Sequence, residues 1–236
     1  MTSDARDTCM TDANVARQMS QRFRGYLPVV IDVETGGFNP STDALLEIGA
    51  TLITMDATGQ LLPDTTYSAH ITPFEGANVS ESALAFTGIR LDSALRQSAA
   101  ITEEKALSEL FSMVRKAIKS HGCSRAILVG HNSAFDHQFL NAAIARSGIK
   151  RNPFHPFSSF DTATLGGFVY GQTVLAKACE AAGIAFDNEQ AHAACYDTER
   201  TADLFCAMVN RYRDLGGWNL ACREQGIDAH DDDNLY

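Results

Sequence analysis

Long apolar runs are missing from this 236-residue chain, although 45% of its residues are hydrophobic. Uninterrupted apolar stretches such as 126–129 are far shorter than the roughly 20 residues that span a bilayer, so we expect no membrane-spanning segment. The first residues carry acidic side chains and no apolar segment, which argues against a secretory signal. None of the six cysteines forms a CxxC pair, so we expect reduced thiols and a cytoplasmic location.

Several catalytic and binding motifs are also absent. The sequence contains no P-loop, no GxGxxG and no GxSxG motif. Its His and Cys residues lack the spacing that is usual for a zinc site. These absences argue against a P-loop nucleotide hydrolase, a dinucleotide-binding enzyme, a hydrolase with a nucleophile elbow and a zinc protein.

Positive charge is scarce, since the formal net charge is −10. Taken alone, this charge disfavours a polyanionic partner. The charge is unevenly distributed, however. Several acids lie at 228–233, whereas cations cluster at Arg22 and Arg24 and again at Arg146, Lys150 and Arg151. A local basic surface is therefore compatible with the sequence.

The sequence does contain a regular succession of strand and helix patterns. Apolar or alternating segments predict strands at 27–33, 45–56, 65–73, 125–132 and the start of 157–171. Helix patterns are predicted at 80–89, 101–122, 133–148, the remainder of 157–171, 173–184 and 193–217. We expect one α/β domain with a mixed sheet over 21–215, an N-terminal arm at 1–20 and an acidic tail at 216–236.

Two carboxylates lie in the first of these strands, which is otherwise apolar. Asp32 and Glu34 are two residues apart, so their side chains share a face, repel each other and lose hydration. Asp136 and Asp197 lie near the starts of two helices, next to buried elements. Four such acids suit magnesium or manganese, and two ions bridged by shared carboxylates would supply the missing positive charge. His192 would be the general base that takes a proton from the attacking water.

Each of these residues also has an ordinary structural interpretation. An Asp-x-Glu pair on a strand is usually solvent-facing, and Asp136 or Asp197 alone fits a first-turn acid that favours the helix dipole. His192 alone fits a loop residue bonded to a backbone carbonyl. Asp161 is interpreted as a helix N-cap, and Glu47 either braces the metal shell or is a buried, hydrogen-bonded strand acid. Convergence of the four acids, and not any single residue, favours a metal site.

Three motifs carry a resemblance to a known family: VIDVET at 30–35, HNSAFD at 131–136 and HAACYD at 192–197. Their order and spacing resemble the DEDDh branch of the DnaQ-like 3′→5′ exonucleases. The resemblance implies an RNase H-like α/β fold, a mixed five-stranded sheet flanked by helices. It also implies two-metal hydrolysis with two Mg²⁺, for which Mn²⁺ can substitute, releasing nucleoside 5′-monophosphates. With His192 as general base, the implied metal ligands and catalytic acids are Asp32, Glu34, Asp136 and Asp197.

Longer stretches resemble the ribonuclease T group within that family. These stretches are 22–39, 42–50, 83–89, 122–139 and 150–157. The resemblance implies a homodimeric exoribonuclease that trims the 3′ ends of transfer RNA and other stable RNA precursors. It implies single-stranded DNA ends as further substrates.

The resemblance also implies residues that bind nucleic acid. Four rings would stack on bases and limit entry of duplex, namely Phe38, Phe86, Phe135 and Phe157. A basic patch would bind RNA beside the other subunit's active site, and its members are Arg22, Arg24, Arg125 and Lys150. Each ring alone also fits a core residue, and the cations also fit a solvated surface. Ser82 stands where the family has a base-reading carboxylate, so we expect weaker avoidance of terminal cytosines unless Glu81 substitutes for it.

Other functions fit parts of the pattern. A DNA-proofreading exonuclease or a short-oligoribonucleotide exonuclease would share the fold. A nucleic-acid-binding module without catalysis would share the surface and cleave nothing. A small-molecule metallophosphatase would need neither the aromatic nor the basic residues.

Overall fold

The computed structural model describes residues 19–217. Apart from residues 19–20 and 216–217, the predicted arm at 1–20 and acidic tail at 216–236 lie outside this range. The described residues form five strands: β1 (Tyr26–Thr35), β2 (Leu45–Met55), β3 (Leu61–His70), β4 (Arg125–Gly130) and β5 (Phe154–Asp161). They also form seven α-helices: α1 (Glu81–Thr87), α2 (Ala94–Ala99), α3 (Glu103–Ser120), α4 (Ala134–Arg146), α5 (Thr162–Tyr170), α6 (Leu175–Ala182) and α7 (Ala194–Asp214).

The strands form one mixed sheet in the order β3-β2-β1-β4-β5. β1 and β2 pair antiparallel, as do β2 and β3, whereas β4 runs parallel to both β1 and β5. The predicted five-stranded mixed sheet flanked by helices is confirmed. Because β1 is central and pairs with both neighbours, its middle is buried on both faces, and Val29, Val30 and Ile31 have no exposed surface.

The helices pack around this sheet in two groups. α7 contacts β1, β2 and β3, while α3 and α4 contact each other and β1. α3 begins at an N-cap, since the Thr102 side chain accepts a hydrogen bond from Lys105 N. Its buried residues recur three or four positions apart, which is the pattern that predicted it. Among the described residues, no helix combines the length and apolar character needed to cross a membrane.

The bounds of several elements differ from the prediction, and β3 and α2 differ for a clear physical reason. β3 begins at Leu61, four residues before the predicted 65–73 strand, because Asp56 Oδ1 accepts hydrogen bonds from Thr58 N and Gln60 N and closes a tight turn. α2 was not predicted, since a six-residue helix is too short to show a periodic apolar pattern. It begins at Ser93, whose side chain accepts a hydrogen bond from Arg96 N.

Candidate active site

Asp32 and Glu34 lie near the carboxyl end of the central strand. In the antiparallel register of β1 and β2, Asp32 pairs with Gly49 and Glu34 pairs with Glu47. Glu34 is only 8% exposed, and the Oδ2 atom of Asp32 is buried without a hydrogen-bond partner in the described part of the chain. The strand thus carries two carboxylates on one face, as its sequence predicts, and one of their oxygens is free to take a ligand.

Asp136 lies at the same end of the sheet, in the helix that follows β4, the parallel neighbour of β1. β4 ends at Gly130, and the chain turns at Asn132, which has a left-handed φ of 67°, before α4 begins. Asp136 lies in the first turn of α4 and its Oδ1 accepts a hydrogen bond from Val33 N at 3.0 Å. Val33 lies between Asp32 and Glu34, so this bond holds Asp136 beside both strand carboxylates.

Asp197 arrives from the other side, in the first turn of α7. The helix lies very close to β2 there, because a Cβ added at Gly49 would be 2.2 Å from the Ala194 carbonyl oxygen. Only glycine permits that approach directly opposite Asp32. Asp197 Oδ2 accepts a hydrogen bond from His192 N at 3.0 Å, whereas its Oδ1 is buried with no partner among the described residues. Asp197 therefore also offers a buried oxygen to a ligand.

His192 lies in the turn that leads into α7. It is exposed and has a left-handed φ of 67°, a conformation that is costly for a residue with a Cβ and is held by the hydrogen bond to Asp197. One ligand atom from each of Glu34, His192 and Asp197 lies within 4.8 Å of the other two. The structure thus brings the imidazole to the acids, as the H-x4-D spacing predicts.

Burial raises the pKa of all four acids. Burial, followed by the charges of Asp197 and Glu47, raises the pKa of Asp32 from 3.8 to about 8. Burial, followed first by the charge of Asp32, raises the pKa of Glu34 from 4.5 to about 9. Burial likewise raises the pKa of Asp136 and of Asp197. Without added positive charge, Asp32 and Glu34 would retain protons at neutral pH.

The donor set fits a hard divalent cation. It consists of carboxylate oxygens, and two of them, Asp32 Oδ2 and Asp197 Oδ1, are buried without a partner in the described chain. A cation there would compensate the mutual repulsion of the acids and satisfy both oxygens. Asp32, Glu34, Asp136 and Asp197 are the residues that would hold it.

Three of the four predicted phenylalanines surround this site. Phe38 is 90% exposed and meets Phe135 edge-on at 6.3 Å, while Phe86 is 68% exposed and lies 4.3 Å from the His192 ring. Phe135 is half-buried and also packs on Phe139 at 4.9 Å, so part of it belongs to the core.

The fourth predicted ring lies elsewhere. Phe157 is 75% exposed, and its ring contact is with His155 at 4.6 Å. His155 in turn contacts Tyr26, at the opposite end of β1 from the carboxylates. Ser82 is exposed on α1, where its hydroxyl lies 3.2 Å from that of the N-cap Ser80.

The predicted basic residues gather at that opposite end of the sheet. Tyr26 pairs with Arg125 where β1 and β4 begin. Arg24, Arg125 and Lys150 are exposed, whereas Arg22 is only 6% exposed and its guanidinium lies 5.1 Å from the Phe23 ring. Arg146, which the sequence places in the second cluster of cations, forms an ion pair with the buried Glu103 at 2.7 Å.

Beside the site lies a part-buried ion pair that the sequence did not predict. Glu47 Oε1 accepts hydrogen bonds from Arg96 Nη1 at 2.8 Å and pairs with His70 Nδ1 at 2.8 Å. Glu47 is therefore a hydrogen-bonded strand acid, and its charge also raises the pKa of Asp32 and of Glu34. No sequence signal pointed to Arg96, because its helix is too short for a periodic pattern. The predicted N-cap is confirmed, since Asp161 accepts a hydrogen bond from Ala163 N at 2.9 Å.

Comparisons with solved structures identify the fold. E. coli exonuclease I in complex with a dT13 oligonucleotide matches with a TM-score of 0.60 and 17% identity, covering 84% of this chain and 44% of that one. The zinc-bound form of the E. coli ExoI–ssDNA complex gives 0.60 and 18%, covering 84% and 43%. The nuclease domain of 3′hExo, a DEDDh family member bound to rAMP, gives 0.58 and 20%, covering 80% and 92%.

These structural likenesses, at such low identity, establish the fold alone. The chain spans less than half the length of the exonuclease I chains that it matches. The family model described as exonuclease (RNase_T) matches residues 29–205. Because this match covers well over half of the sequence, the chain belongs to the exonuclease family.

Proposed function

We propose that this protein is a 3′→5′ exoribonuclease that trims the 3′ ends of transfer RNA and other stable RNA precursors, and also single-stranded DNA ends, in the cytoplasm. The observation that carries the proposal is the meeting of four acids, three of them buried and Asp32 half-buried, with an exposed imidazole and two exposed phenyl rings. A binding module would gain nothing from acids held in so unfavourable an environment.

Each residue of the site has a task in the proposed reaction. Asp32, Glu34, Asp136 and Asp197 would hold two Mg²⁺, or Mn²⁺ in their place. When bound, these ions supply positive charge for the attacking and leaving oxygens of a phosphodiester. His192 takes a proton from the attacking water, and its exposure leaves room for the movement that this requires. Hydrolysis would release nucleoside 5′-monophosphates one at a time.

The exposed rings account for a single-stranded substrate. Unpaired bases offer their faces, and stacking on an aromatic ring contributes about 1–3 kcal/mol per base. Phe38 lies against Phe135, the residue before Asp136, and Phe86 lies against His192. Both rings are exposed, so they would hold the last bases and obstruct a second strand. Two structural neighbours, one bound to a dT13 oligonucleotide and one bound to rAMP, are consistent with such a substrate.

RNA as the principal substrate, and a homodimer as the active form, rest on the ribonuclease T resemblance and on the position of the basic residues. From Tyr26 to Asp32 the strand extends about 20 Å, at roughly 3.3 Å per residue. Arg24 and Arg125 lie at the Tyr26 end. In a homodimer the patch of one subunit would hold the RNA whose 3′ end enters the active site of the other.

The reaction class is tested with a 5′-labelled RNA that carries a single-stranded 3′ tail. Incubation with Mg²⁺ is expected to give a ladder that shortens from the 3′ end, and EDTA is expected to abolish it. Duplex DNA, a dinucleotide and the tailed RNA, compared side by side, separate the proposal from a proofreading or short-oligoribonucleotide exonuclease. Absence of any metal-dependent shortening would leave a binding module as the better interpretation.

Ser82 bears on which 3′ ends are removed. Its hydroxyl cannot carry the charge of the family's carboxylate. We therefore expect wild type to digest tails ending in CC more readily than the Ser82→Glu variant does. Equal end preference in wild type and Ser82→Glu would contradict this role.

A further inference from the structure

The loop that presents Phe38 is tightly bonded at its base. Gly36 N donates to Ala44 O at 2.8 Å, and Gly36 O accepts from Ser80 N at 2.8 Å. Asn78 N also donates to a loop carbonyl, that of Thr42, at 2.8 Å. Because Ser80 is the N-cap of α1, these bonds join the Phe38 loop to the segment that carries Phe86.

Asp43 fills the inside of this loop. Its Oδ2 accepts a hydrogen bond from Asn39 N at 3.0 Å, and its Oδ1 accepts one from the Thr42 hydroxyl at 2.8 Å. A Cβ at Gly37 would lie 2.1 Å from Asp43 Oδ2, so the carboxylate occupies the space beside the residue that precedes Phe38. The turn itself is therefore well defined.

Arg146 holds the outer side of the loop, from the end of α4. Its Nη1 donates to Pro40 O at 2.7 Å, two residues after Phe38. Its Nε and Nη2 donate to the two carboxylate oxygens of Glu103 at 3.0 and 2.7 Å, and the guanidinium lies 4.2 Å from the Phe74 ring. A two-pronged bond to a buried carboxylate, with an aromatic ring against it, leaves the guanidinium few alternative positions.

We propose that Arg146 is a positioning residue for Phe38, one that holds the loop so that the exposed ring faces the base of the bound 3′ end. This inference rests on the proposed function. Phe38 is 90% exposed and meets only the edge of Phe135 among the ring contacts of the described residues, so its position depends on the loop backbone. Holding that backbone in advance lowers the entropic cost of stacking a base.

The test is a double-mutant cycle on a single-stranded oligonucleotide, with KM and kcat measured separately. Arg146→Ala is expected to raise KM about fivefold while kcat stays within about twofold, and Phe38→Ala is expected to raise KM at least as much. If Arg146 acts through Phe38, the double variant has the KM of Phe38→Ala alone. Lys177→Ala, which removes an exposed cation from an ion pair with Glu180, is the control and is expected to leave KM unchanged.

A second substrate separates positioning from general destabilisation. On an oligonucleotide whose 3′-terminal nucleotide lacks its base, wild type and Arg146→Ala are expected to have the same KM. If Arg146→Ala does not fold, Arg146→Lys replaces it, because lysine retains the charge but cannot bond both Glu103 oxygens and Pro40 together. Independent, multiplicative effects of the two substitutions on KM would overturn the inference. Failure of the proposed function would be seen differently, as absence of 3′ cleavage by wild type.

Discussion

The two ends of the β1–β4 strand pair carry opposite charges. The negative charges at one end are buried, whereas the positive charges at the other end are exposed to solvent. At the carboxyl ends of β1 and β4, acids are buried and two carboxylate oxygens lack a partner among the described residues. At the other end, Arg24 and Arg125 are exposed, and the pKa of nearby His155 is lowered by its burial and then by these two cations. Burial makes the acidic end dependent on an added cation, whereas solvent keeps the basic end ready to attract an anion.

The largest effect is expected from breaking the acidic end. Asp136→Asn keeps a group that can accept from Val33 N but removes the charge, so we expect the cleavage rate to fall by about 10³-fold or more. Binding of RNA, measured by fluorescence anisotropy, is expected to change little because the rings and the basic residues remain. Asp92→Asn, at an exposed acid, is the control. Full activity of Asp136→Asn would exclude it from the metal site.

Gly49→Ala alters the same acidic end of the sheet without changing a charge. The added Cβ would force the Ala194 carbonyl, and with it the start of α7 and Asp197, away from Asp32. We expect about a 10²-fold loss of activity, with a fall in Tm of several degrees, since overpacking costs about 1–3 kcal/mol. Gly167→Ala, whose Cβ would meet only the Thr173 methyl at 3.1 Å, is the matched control. Unchanged kinetics in Gly49→Ala would show that α7 can shift without consequence for the site.

The basic end is tested by the joint substitution of Arg24, Arg125 and Lys150 with Ala. Loss of phosphate contacts is expected to weaken RNA binding about tenfold at low salt and to make the dependence of log K on log salt shallower by about 2. Co-expression with Asp136→Asn sharpens the comparison. If the patch serves the partner's active site, mixed dimers cleave RNA faster than either variant does alone. An unchanged salt slope would contradict the assignment of these residues.

The smallest effect is expected in the stability of the metal-free protein. The folded pKa values of Asp32 and Glu34 are raised to about 8 and about 9, so the folded state binds more protons than the unfolded state above pH 4. Their contribution to the free energy of unfolding is therefore complete below about pH 4, decreases as pH rises above that value, and is lost once pH has passed the folded pKa values of about 8 and about 9. In EDTA we expect Tm to fall by roughly 5 °C between about pH 7 and about pH 9.

One variant and one added ion provide controls for this pH effect. Asp32→Asn cannot ionise, so its Tm in EDTA is expected to fall less with pH than that of wild type. Saturating Mg²⁺ is expected to remove most of the loss, because the ion favours the ionised carboxylates. A Tm in EDTA that rises steadily from pH 7 to 9 would contradict the raised pKa values.

Sequence patterns predicted the site better than its surroundings. Asp32 and Glu34 were readable because period-two geometry places them on one face, and Asp136 and Asp197 because each begins a helix beside a buried strand. The surroundings depend on distant contacts. Phe135 packs partly in the core, Phe157 lies with His155, and Arg146 bonds Glu103, 43 residues away in the chain. No local pattern encodes such partners.

Short-range periodicity and motif spacing were enough to predict the type of every element except α2, and to single out the four acids and the imidazole. Which charges are buried or solvated, and what holds the Phe38 loop in place, could be seen only in the folded protein. Those properties depend on how strands and helices far apart in the chain pack together, and burial is what gives an ordinary carboxylate an unusual pKa.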